Sequence, residues 1–523
     1  MKKIVSVLLI GLFLSNSALF AQEVGALESE TTETAEIVVT DENDSRATSE
    51  NSDITFSLNS RFSKSMHEFL HENDGKKHWL VAVSGALVFN VGMSSYNRWI
   101  IGSSWAQVGP DEWAHFWERE LKYDRDWYWT NFVLHPYQGA IYYQVSRGSN
   151  LSKIESFGVT LLGSAFWEYL CETNAPSIND MVYTTLGSFS LGEMLYRLSL
   201  NADEISELFG IIINPTRTWT QGWTRQKPLG TTRNIHALSV QMLAGTARSY
   251  TNAINFSGDY PAIETYPAFA NPSVTVVYSD PYGHDSNDPY SQFELTLGGA
   301  LGIGSGEGAA CAYEDLDKKL MYHVRILSNG MLFARAPQLS ENTDTTIGLS
   351  MMYEFDWHQF YELSSLAPGV GIKQRVRFNN SRIEWFCHGS WIALGTTDYY
   401  YYHRPIVDKG DDTSLVRSYN FTTGAQTNIR FRYTTDAGSM FNFDFRGYAM
   451  YDFYSQLQDN TAFASAGWEW IGIANLSLEL PLSPLVRLGL CDEVYAKRAF
   501  YKKVPDVFQT LNSVSVYAKL QLK

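Results

Sequence analysis

The chain has 523 residues, of which 14% are aromatic, and a formal net charge of −16 at pH 7. This acidic balance argues against nucleic acid as a partner, because a nucleic-acid site needs a basic surface. The four cysteines lie far apart and show no metal-ligand or paired spacing. We therefore expect neither a structural zinc site nor a disulfide framework.

The first 55 residues predict export and then a flexible segment. Lys2 and Lys3 precede the apolar run Ile4 to Leu14, and cleavage is expected after Ala21 or Ala18, so residues 1–21 are predicted to be a signal peptide. The apolar run is too short to span a bilayer. Residues 22–55 are rich in Glu, Asp, Thr and Ser, which predicts a disordered acidic tether.

Residues 56–215 show the apolar period of α-helices and are predicted to form a helical domain. The segment 78–93 is apolar on most sides but contains Asn90 and two glycines, which favours a buried helix over a membrane span. No segment of this region reaches the roughly 20 uninterrupted apolar residues that a spanning helix needs.

Residues 216–523 are predicted to form a β-barrel, because from about residue 235 the apolar period changes to two. In SMFNFDFRGYAMYDFY (439–454) the residues Phe441, Phe443, Phe445 and Phe453 fall on one face, and Asn442, Asp444 and Arg446 on the other. In TTIGLSMMYEFDW the apolar face carries Ile347, Leu349, Met351, Tyr353, Phe355 and Trp357. Many strands have roughly the 10 residues that a tilted strand needs to cross a bilayer.

The predicted fold is therefore α+β: an N-terminal helical domain followed by an antiparallel transmembrane-type β-barrel of about 12 strands, with apolar residues facing lipid and polar residues facing the lumen. Asn329-Gly330 predicts a hairpin turn between two of these strands. The alternative is a soluble antiparallel sheet with one solvated face.

His135 is the first candidate for chemistry. It lies four residues after Asn131 and directly before Pro136. Proline is poorly tolerated inside a helix, so we expect a helix to begin near Pro136 with His135 at its start. His135 is either part of a chemical site or a buried histidine that is hydrogen-bonded to a backbone carbonyl.

Glu168 and Glu172 are four residues apart and share a helix face, where two carboxylates repel unless a metal, an arginine or a proton compensates them. Such a pair near a histidine can perform acid–base or metal chemistry. The alternative is that Glu172 is solvated and Glu168 pairs with Arg147 or Arg197.

Asp180 follows Ser177 at the spacing of a capping box, so it also has a structural alternative. Glu193 and Arg197 have the spacing of an ordinary ion pair within one helix. We predict that His135, Arg147, Glu168 and Asp180 converge, because buried ionisable groups must find partners. The residues assigned to the accompanying structural polar cluster are Asn131, Arg147, Glu172, Glu193 and Arg197.

No nucleotide-binding, zinc-protease or nucleophilic-serine motif is present in the sequence. We therefore assign no metal and no cofactor from the sequence. His135, Glu168 and Asp180 remain the candidate catalytic residues.

The polar pattern of the helical region resembles a bacterial envelope family, domain of unknown function 3943. The resemblance covers about 100 of the 523 residues. It implies an exported envelope protein and no established activity. The matching residues are Trp129, Asn131, His135, Pro136, Gly139, Tyr143, Arg147, Gly148, Glu168, Glu172, Pro176, Ser177, Asp180, Gly187, Gly192 and Glu193.

The preferred interpretation is an outer-membrane-associated protein whose helical domain, periplasmic or within the barrel, braces or plugs the barrel. Its expected partners are membrane lipid and an envelope component. One alternative is an enzyme at the membrane interface that acts on a lipid or cell-wall substrate, with His135 as base and Glu168 and Asp180 as orienting or metal-binding carboxylates. Another is a soluble periplasmic binding protein, which would need a closed ligand pocket and no apolar belt.

Overall fold

A computed structural model describes most of the chain after the predicted signal peptide and tether, both of which lie outside the described residues. The described ranges are 76–124, 126–224, 234–253, 262–303, 320–403, 418–453 and 465–523. Within them, helices come first in the chain and strands follow.

The helical domain contains eight described α-helices and four π-helical turns. The α-helices are α1 (Trp79–Tyr96), α2 (Pro110–Ala114), α3 (His135–Gly148), α4 (Lys153–Phe166), α5 (Ile178–Val182), α6 (Ser188–Ile205), α7 (Glu207–Ile213) and α8 (Arg217–Thr224). The π-helical turns are Asn97–Ile101, Thr130–Leu134, Trp167–Cys171 and Tyr183–Gly187. The helical domain therefore extends past residue 215, the predicted boundary. Its last helix, α8, packs back against α3, where Thr220 leaves no room for a side chain at Gly148.

The barrel is closed and has twelve strands, as predicted. Every strand pairs antiparallel with its neighbour in sequence, and the first strand pairs with the last. The strands are β1 (Ile235–Ala253), β2 (Ala262–Tyr278), β3 (Phe293–Ile303), β4 (Leu320–Arg335), β5 (Thr343–His358), β6 (Glu362–Phe378), β7 (Ser381–Asp398), β8 (Tyr419–Thr434), β9 (Met440–Asp452), β10 (Gly467–Pro481), β11 (Val486–Tyr501) and β12 (Val507–Gln521).

Polar side chains of alternate strand residues fill the lumen and meet across it. Arg325 of β4 forms a salt bridge with Glu493 of β11 at 3.0 Å, although these strands are five apart in the barrel. Arg446 of β9, a residue predicted to face the lumen, reaches Asp356 of β5 at 2.9 Å. The predicted lumen-facing position of Arg446 is therefore confirmed.

The apolar outer face of the barrel has two kinds of cover. On β5, Ile347 and Leu349 are 41% and 49% exposed, whereas Met351, Tyr353 and Phe355 on the same face are buried. The buried part packs against the helical domain, and it crosses the strands diagonally from β2 to β8. Its barrel residues are Tyr278, Phe293, Leu295, Met351, Tyr353, Phe355, Leu366, Leu394, Tyr419 and Phe421.

The helical domain therefore docks on the outside of the barrel wall. Tyr128, Phe132 and Tyr183 supply much of the apolar contact from the helical side. Among the described residues the helices pack against the outer wall and do not enter the lumen, so the expected alternative of a helical domain within the barrel is wrong. Phe453, predicted to face lipid, instead packs against Tyr123 of the helical domain.

Asn329-Gly330 is not a hairpin turn, because both residues lie inside β4. Gly330 faces the helical domain, where a Cβ atom would lie 2.2 Å from the Tyr290 ring and 3.0 Å from Met194 Cε. The glycine thus allows the docked helices to approach the strand closely, which is one reason for a glycine inside a strand.

Residues 78–93 are also placed differently from the prediction. In α1 the buried residues are Ala82, Ala86 and Asn90, and most of the apolar surface is exposed. Together with the following π-helical turn, α1 forms a 23-residue helix that is long and apolar enough to cross a membrane, with 17% of its most apolar window buried. Its apolar composition therefore reflects an exposed surface rather than a buried helix.

The facing of β9 gives a test of the barrel wall. Phe443 points outward and lies outside the helix-covered patch, so Phe443→Arg should destabilise the barrel by roughly 2–4 kcal/mol if the residue lies near the bilayer midplane. Asp444→Asn at the next, lumen-facing position should be mild. Folding titrations into lipid vesicles measure both changes, and equal tolerance at the two positions would contradict a lipid-facing wall.

Candidate functional site

Three separate segments of the helical domain bring His135, Glu168 and Asp180 together in its interior. Their relative exposures are 5%, 1% and 2%. One potential ligand atom from each residue lies within 4.8 Å of those of the other two. The predicted convergence of these three residues is therefore what the structure shows.

Three of the four described π-helical turns adjoin this cluster. Thr130–Leu134 ends directly before His135, Trp167–Cys171 contains Glu168, and Tyr183–Gly187 follows the helix of Asp180. Such wide turns are rare and occur often at functional sites, since they redirect side chains that a regular helix would place elsewhere.

His135 is the first residue of α3, as predicted from Pro136, although the π-helical turn Thr130–Leu134 leads directly into it. Helical backbone precedes it, and the His135 N–H donates to the carbonyl of Thr130, five residues earlier. The wider hydrogen-bonded turn accommodates the helix on the N-terminal side of Pro136, which has no N–H of its own to donate.

Glu168 and Asp180 are positioned by the N-terminus of α5. The Asp180 N–H donates to Ser177 Oγ at 3.2 Å, so Ser177 is the predicted N-cap. The Ser177 N–H donates to Glu168 Oε2 at 2.8 Å, so the carboxylate that completes the cap comes from another helix. The Asp180 carboxylate is thereby left to face His135, with 3.5 Å between His135 Nε2 and Asp180 Oδ2.

Asp124 and Asn179 extend the cluster, and neither was predicted. Asn179 Nδ2 donates to Asp124 Oδ1 and to Asp180 Oδ1, both at 2.8 Å. Asp124 reaches the site because the chain around Lys122 pairs with the chain around Ser177. The adjacency of Asn179 to Asp180 was a signal in the sequence, but no local pattern placed Asp124.

Asn131, predicted as part of the polar cluster, links the site to the barrel. Its Nδ2 donates to Asp124 Oδ1 and to the hydroxyl of Tyr419 in β8, both at 2.7 Å. The Tyr419 hydroxyl in turn donates to the carbonyl of Asp126 at 2.7 Å. The geometry of the site thus depends on helix docking as well as on the helices themselves.

Arg147 does not join this cluster, and that part of the prediction is wrong. It lies at the other end of α3, about 18 Å along the axis for a helix of this length, and donates to Glu193 at 2.8 Å. Arg197 also pairs with Glu193, at 2.9 Å, and with Asp288 of the β2–β3 connection at 2.7 Å. The predicted Glu193–Arg197 pair is present, and neither arginine serves Glu168.

Glu172 lies beside the first cluster and is partly exposed. Burial, followed by the nearby charges of Asp126 and Asp124, raises its pKa to about 8. Arg119 is close but donates to the backbone carbonyls of Glu172 and Asn174, each at 2.8 Å. The polar cluster predicted as one group is therefore divided between two places in the domain.

Burial also sets the protonation of the three central residues. It lowers the pKa of His135 to about 4, with Asp124 acting in the opposite direction. It raises the pKa values of Glu168 and Asp180 well above their usual range, and neighbouring carboxylates raise them further. The imidazole is therefore uncharged at neutral pH, and a positive charge nearby would be needed to hold the two carboxyl groups in their ionised form.

The chain is thus an outer-membrane-type β-barrel with an N-terminal helical domain that carries a buried histidine–carboxylate cluster. Residues 120–212 match a family model described as "Domain of unknown function (DUF3943)", which confirms the resemblance predicted from the polar pattern. The matched range includes His135, Glu168 and Asp180. No curated protein sequence matches the chain at a significant level.

Several solved membrane barrels are similar to part of this chain. A FadL homologue of Pseudomonas aeruginosa shares 7% identity and a TM-score of 0.23, over 55% of this chain and 90% of that one. An outer membrane channel from Pseudomonas putida F1 shares 8% identity and a TM-score of 0.27, over 55% and 99%. The outer membrane protease OmpT from Escherichia coli shares 7% identity and a TM-score of 0.24, over 55% and 97%. The barrel class rests on the strand order and facing pattern of this chain itself.

The raised pKa of Glu172 predicts a pH dependence of stability. The folded state holds the proton up to about pH 8, whereas the unfolded state releases it near the ordinary value of 4.5. The Glu172 contribution is therefore neutral at low pH and becomes destabilising as pH rises from about 4.5 to about 8. Glu172→Gln should flatten this loss, measured as the melting temperature of the helical circular dichroism signal in chelator-treated samples. The samples are treated with chelator because a bound cation would itself stabilise the ionised form of the carboxyl groups and lower their pKa values.

Glu120→Gln is the matched control for this experiment, because Glu120 is an exposed carboxylate of the same domain. It should leave the pH profile as in the wild type. A profile that is equally steep in Glu172→Gln and in the wild type would show that Glu172 is not the group responsible.

Proposed function

We propose that this chain is an outer-membrane protein whose barrel is a closed anchor and whose helical domain works in contact with lipid. The observation that carries the proposal is the docking of the helices on the apolar outer wall, from β2 to β8. A domain in that position shares the environment of the wall on which it packs.

The lumen favours an anchor over an open pore. Besides the two cross-lumen ion pairs, the ring of Tyr361, at the β5–β6 connection, stacks on that of Tyr495 of β11, with 4.0 Å between centroids. Lys497 of β11 is fully buried and pairs with Asp398 and Glu469. Porins instead hold a water-filled channel inside the barrel.

The outer surface of the helical domain is apolar, as a lipid-facing surface should be. Leu80 is 83% exposed, and Trp99, Ile154, Leu162 and Phe209 are also more than half exposed. Soluble monomeric proteins rarely expose contiguous apolar patches of large area. This exposure supports the lipid-facing proposal over the soluble binding protein.

The chain topology supports an orientation for the barrel. The N-terminal end of β1 and the C-terminal end of β12 lie at the same end as the short β6–β7 and β8–β9 turns. The longest connections, β3–β4 and β7–β8, lie at the opposite end. Outer-membrane barrels have short periplasmic turns and longer external loops, so the end with the termini is assigned to the periplasm, consistent with the predicted signal peptide.

Spin labels on the helical domain test the lipid contact. Leu162→Cys, in a background in which the four native cysteines are serine, should give a label that is accessible to oxygen and protected from a water-soluble nickel complex in reconstituted vesicles. Leu490→Cys on the exposed barrel wall is the lipid control, and Glu118→Cys, at an exposed charged position of the helical domain, is the comparison. Full nickel access at position 162, with protection at 490, would place the domain outside the bilayer.

A membrane-interface enzyme is the second candidate, favoured by the cluster of His135, Glu168 and Asp180 inside this same domain. In that function neutral His135 would act as the base and the carboxyl groups would orient it or hold an ion. His135→Ala should then alter the composition of extracted envelope lipids while the barrel still assembles. An unchanged lipid profile with an assembled barrel would leave the cluster with a structural role.

A further inference from the structure

We propose that His135, Glu168 and Asp180 bind a divalent transition-metal ion. The proposal rests on the geometry and charge of the cluster and does not depend on the lipid contact or on an enzymatic activity. It departs from the sequence assignment, which named no metal.

The spacing of His135 and Asp180 fits one shared ion, and a carboxylate oxygen of Glu168 lies within 4.8 Å of both ligand atoms. Two ligands at roughly 2.0–2.2 Å from a tetrahedral ion are themselves about 3.3–3.6 Å apart. The distance from His135 Nε2 to Asp180 Oδ2 is 3.5 Å, longer than a normal N–H···O hydrogen bond. Among the described residues His135 Nδ1 has no hydrogen-bond partner. The imidazole is thus held at ligand distance and is not fixed by a good hydrogen bond.

Neighbouring groups orient the two carboxylates of the cluster. Asn179 donates to Asp180 Oδ1, and the Ser177 N–H donates to Glu168 Oε2. The Asp180 oxygen that faces His135 is Oδ2, whereas the Asn179 amide contacts Oδ1. Hydrogen bonds of this kind fix metal-binding side chains in their binding geometry.

A second buried histidine–aspartate pair in this protein has its negative charge balanced by arginine side chains. His323 Nε2 lies 2.5 Å from Asp356 Oδ1 in the lumen. Asp356 also pairs with Arg325 and Arg446, each at 2.9 Å. Fixed positive charge therefore balances this carboxylate without an ion.

The His135 cluster lacks such a counter-charge in the described part of the chain. No lysine or arginine there forms a salt bridge with Glu168, Asp180 or Asp124, and Arg119 is bonded to carbonyls. Buried charge is normally paired or bound to a metal. Arg125 lies outside the described residues, so the experiment must distinguish it from an ion.

The ligand types select the class of ion. One imidazole nitrogen with carboxylate oxygens suits Zn²⁺, Mn²⁺ or Fe²⁺. Ca²⁺ and Mg²⁺ prefer sites made only of oxygen. The cluster is therefore assigned to a transition metal, and Mg²⁺ serves as the ion expected to bind poorly.

Metal analysis of the full-length purified protein tests the proposal. Chelator-treated protein equilibrated with Zn²⁺ or Mn²⁺ should retain one ion per chain after desalting, and its helical melting temperature should rise. Glu168→Gln and Asp180→Asn should weaken binding roughly tenfold or more, since even second-layer changes cost that much. Co²⁺ loading should give a visible absorption spectrum that His135→Ala alters.

His323→Ala is the matched control, because it removes the other buried histidine that pairs with an aspartate and should leave ion binding intact. Wild-type protein that retains no ion, and whose melting temperature ignores Zn²⁺ and Mn²⁺, overturns the proposal. Equal retention by the wild type and all cluster variants also overturns it, since the ion is then adventitious. The same holds if the wild type binds none and Arg125→Gln alone destabilises the domain, because Arg125 then supplies the balancing charge.

Discussion

The apolar outer wall of a closed barrel must be covered along its whole circumference, by lipid or by protein, and this protein uses both. The wall from β2 to β8 is partly covered by the helical domain, whereas exposed apolar side chains continue over β10, β11 and β12. The position of the helices, the exposure of their far surface and the geometry of the buried cluster all follow from this docking.

The docking surface explains the aromatic content of the chain. Tyrosines provide apolar rings for the contact and hydroxyls for the backbone groups that it buries. Tyr353 donates to the carbonyl of Phe132, Tyr183 to that of Leu394 and Tyr419 to that of Asp126. A buried carbonyl without such a donor is costly, so the tyrosines make a wall that would otherwise suit lipid compatible with helices.

The sequence was sufficient to predict the barrel but not what covers it. Period-two alternation placed Ile347 and Phe355 on one apolar face, correctly, because alternation depends on the strand alone. Whether lipid or a helix touches that face is not encoded in the alternation, since both partners are apolar. For the same reason the apolar composition of α1 does not by itself distinguish a buried helix from one with an exposed apolar surface.

The site could be predicted only in part, because a sequence pattern shows which residues are ionisable and surrounded by apolar residues but not which of them meet in the fold. His135, Glu168 and Asp180 stood out as ionisable residues in apolar surroundings, and they do converge. Arg147 had the same appearance but lies at the far end of α3, where Glu193 pairs with it. Asp124 depends on pairing between chain segments around residues 122 and 177, a long-range contact that no local pattern contains.

A disulfide across the docking surface tests the account most directly. Ser190 of α6 and Ser328 of β4 face each other with 3.4 Å between their hydroxyl oxygens. Ser190→Cys with Ser328→Cys, in a cysteine-free background, should form a disulfide in assembled barrels, detected as a gel shift that reductant reverses. Ser190→Cys with Ser350→Cys should not, because Ser350 faces the lumen, where it bonds to His388. Cross-linking of the second pair but not the first would contradict docking of the helices on the outer wall.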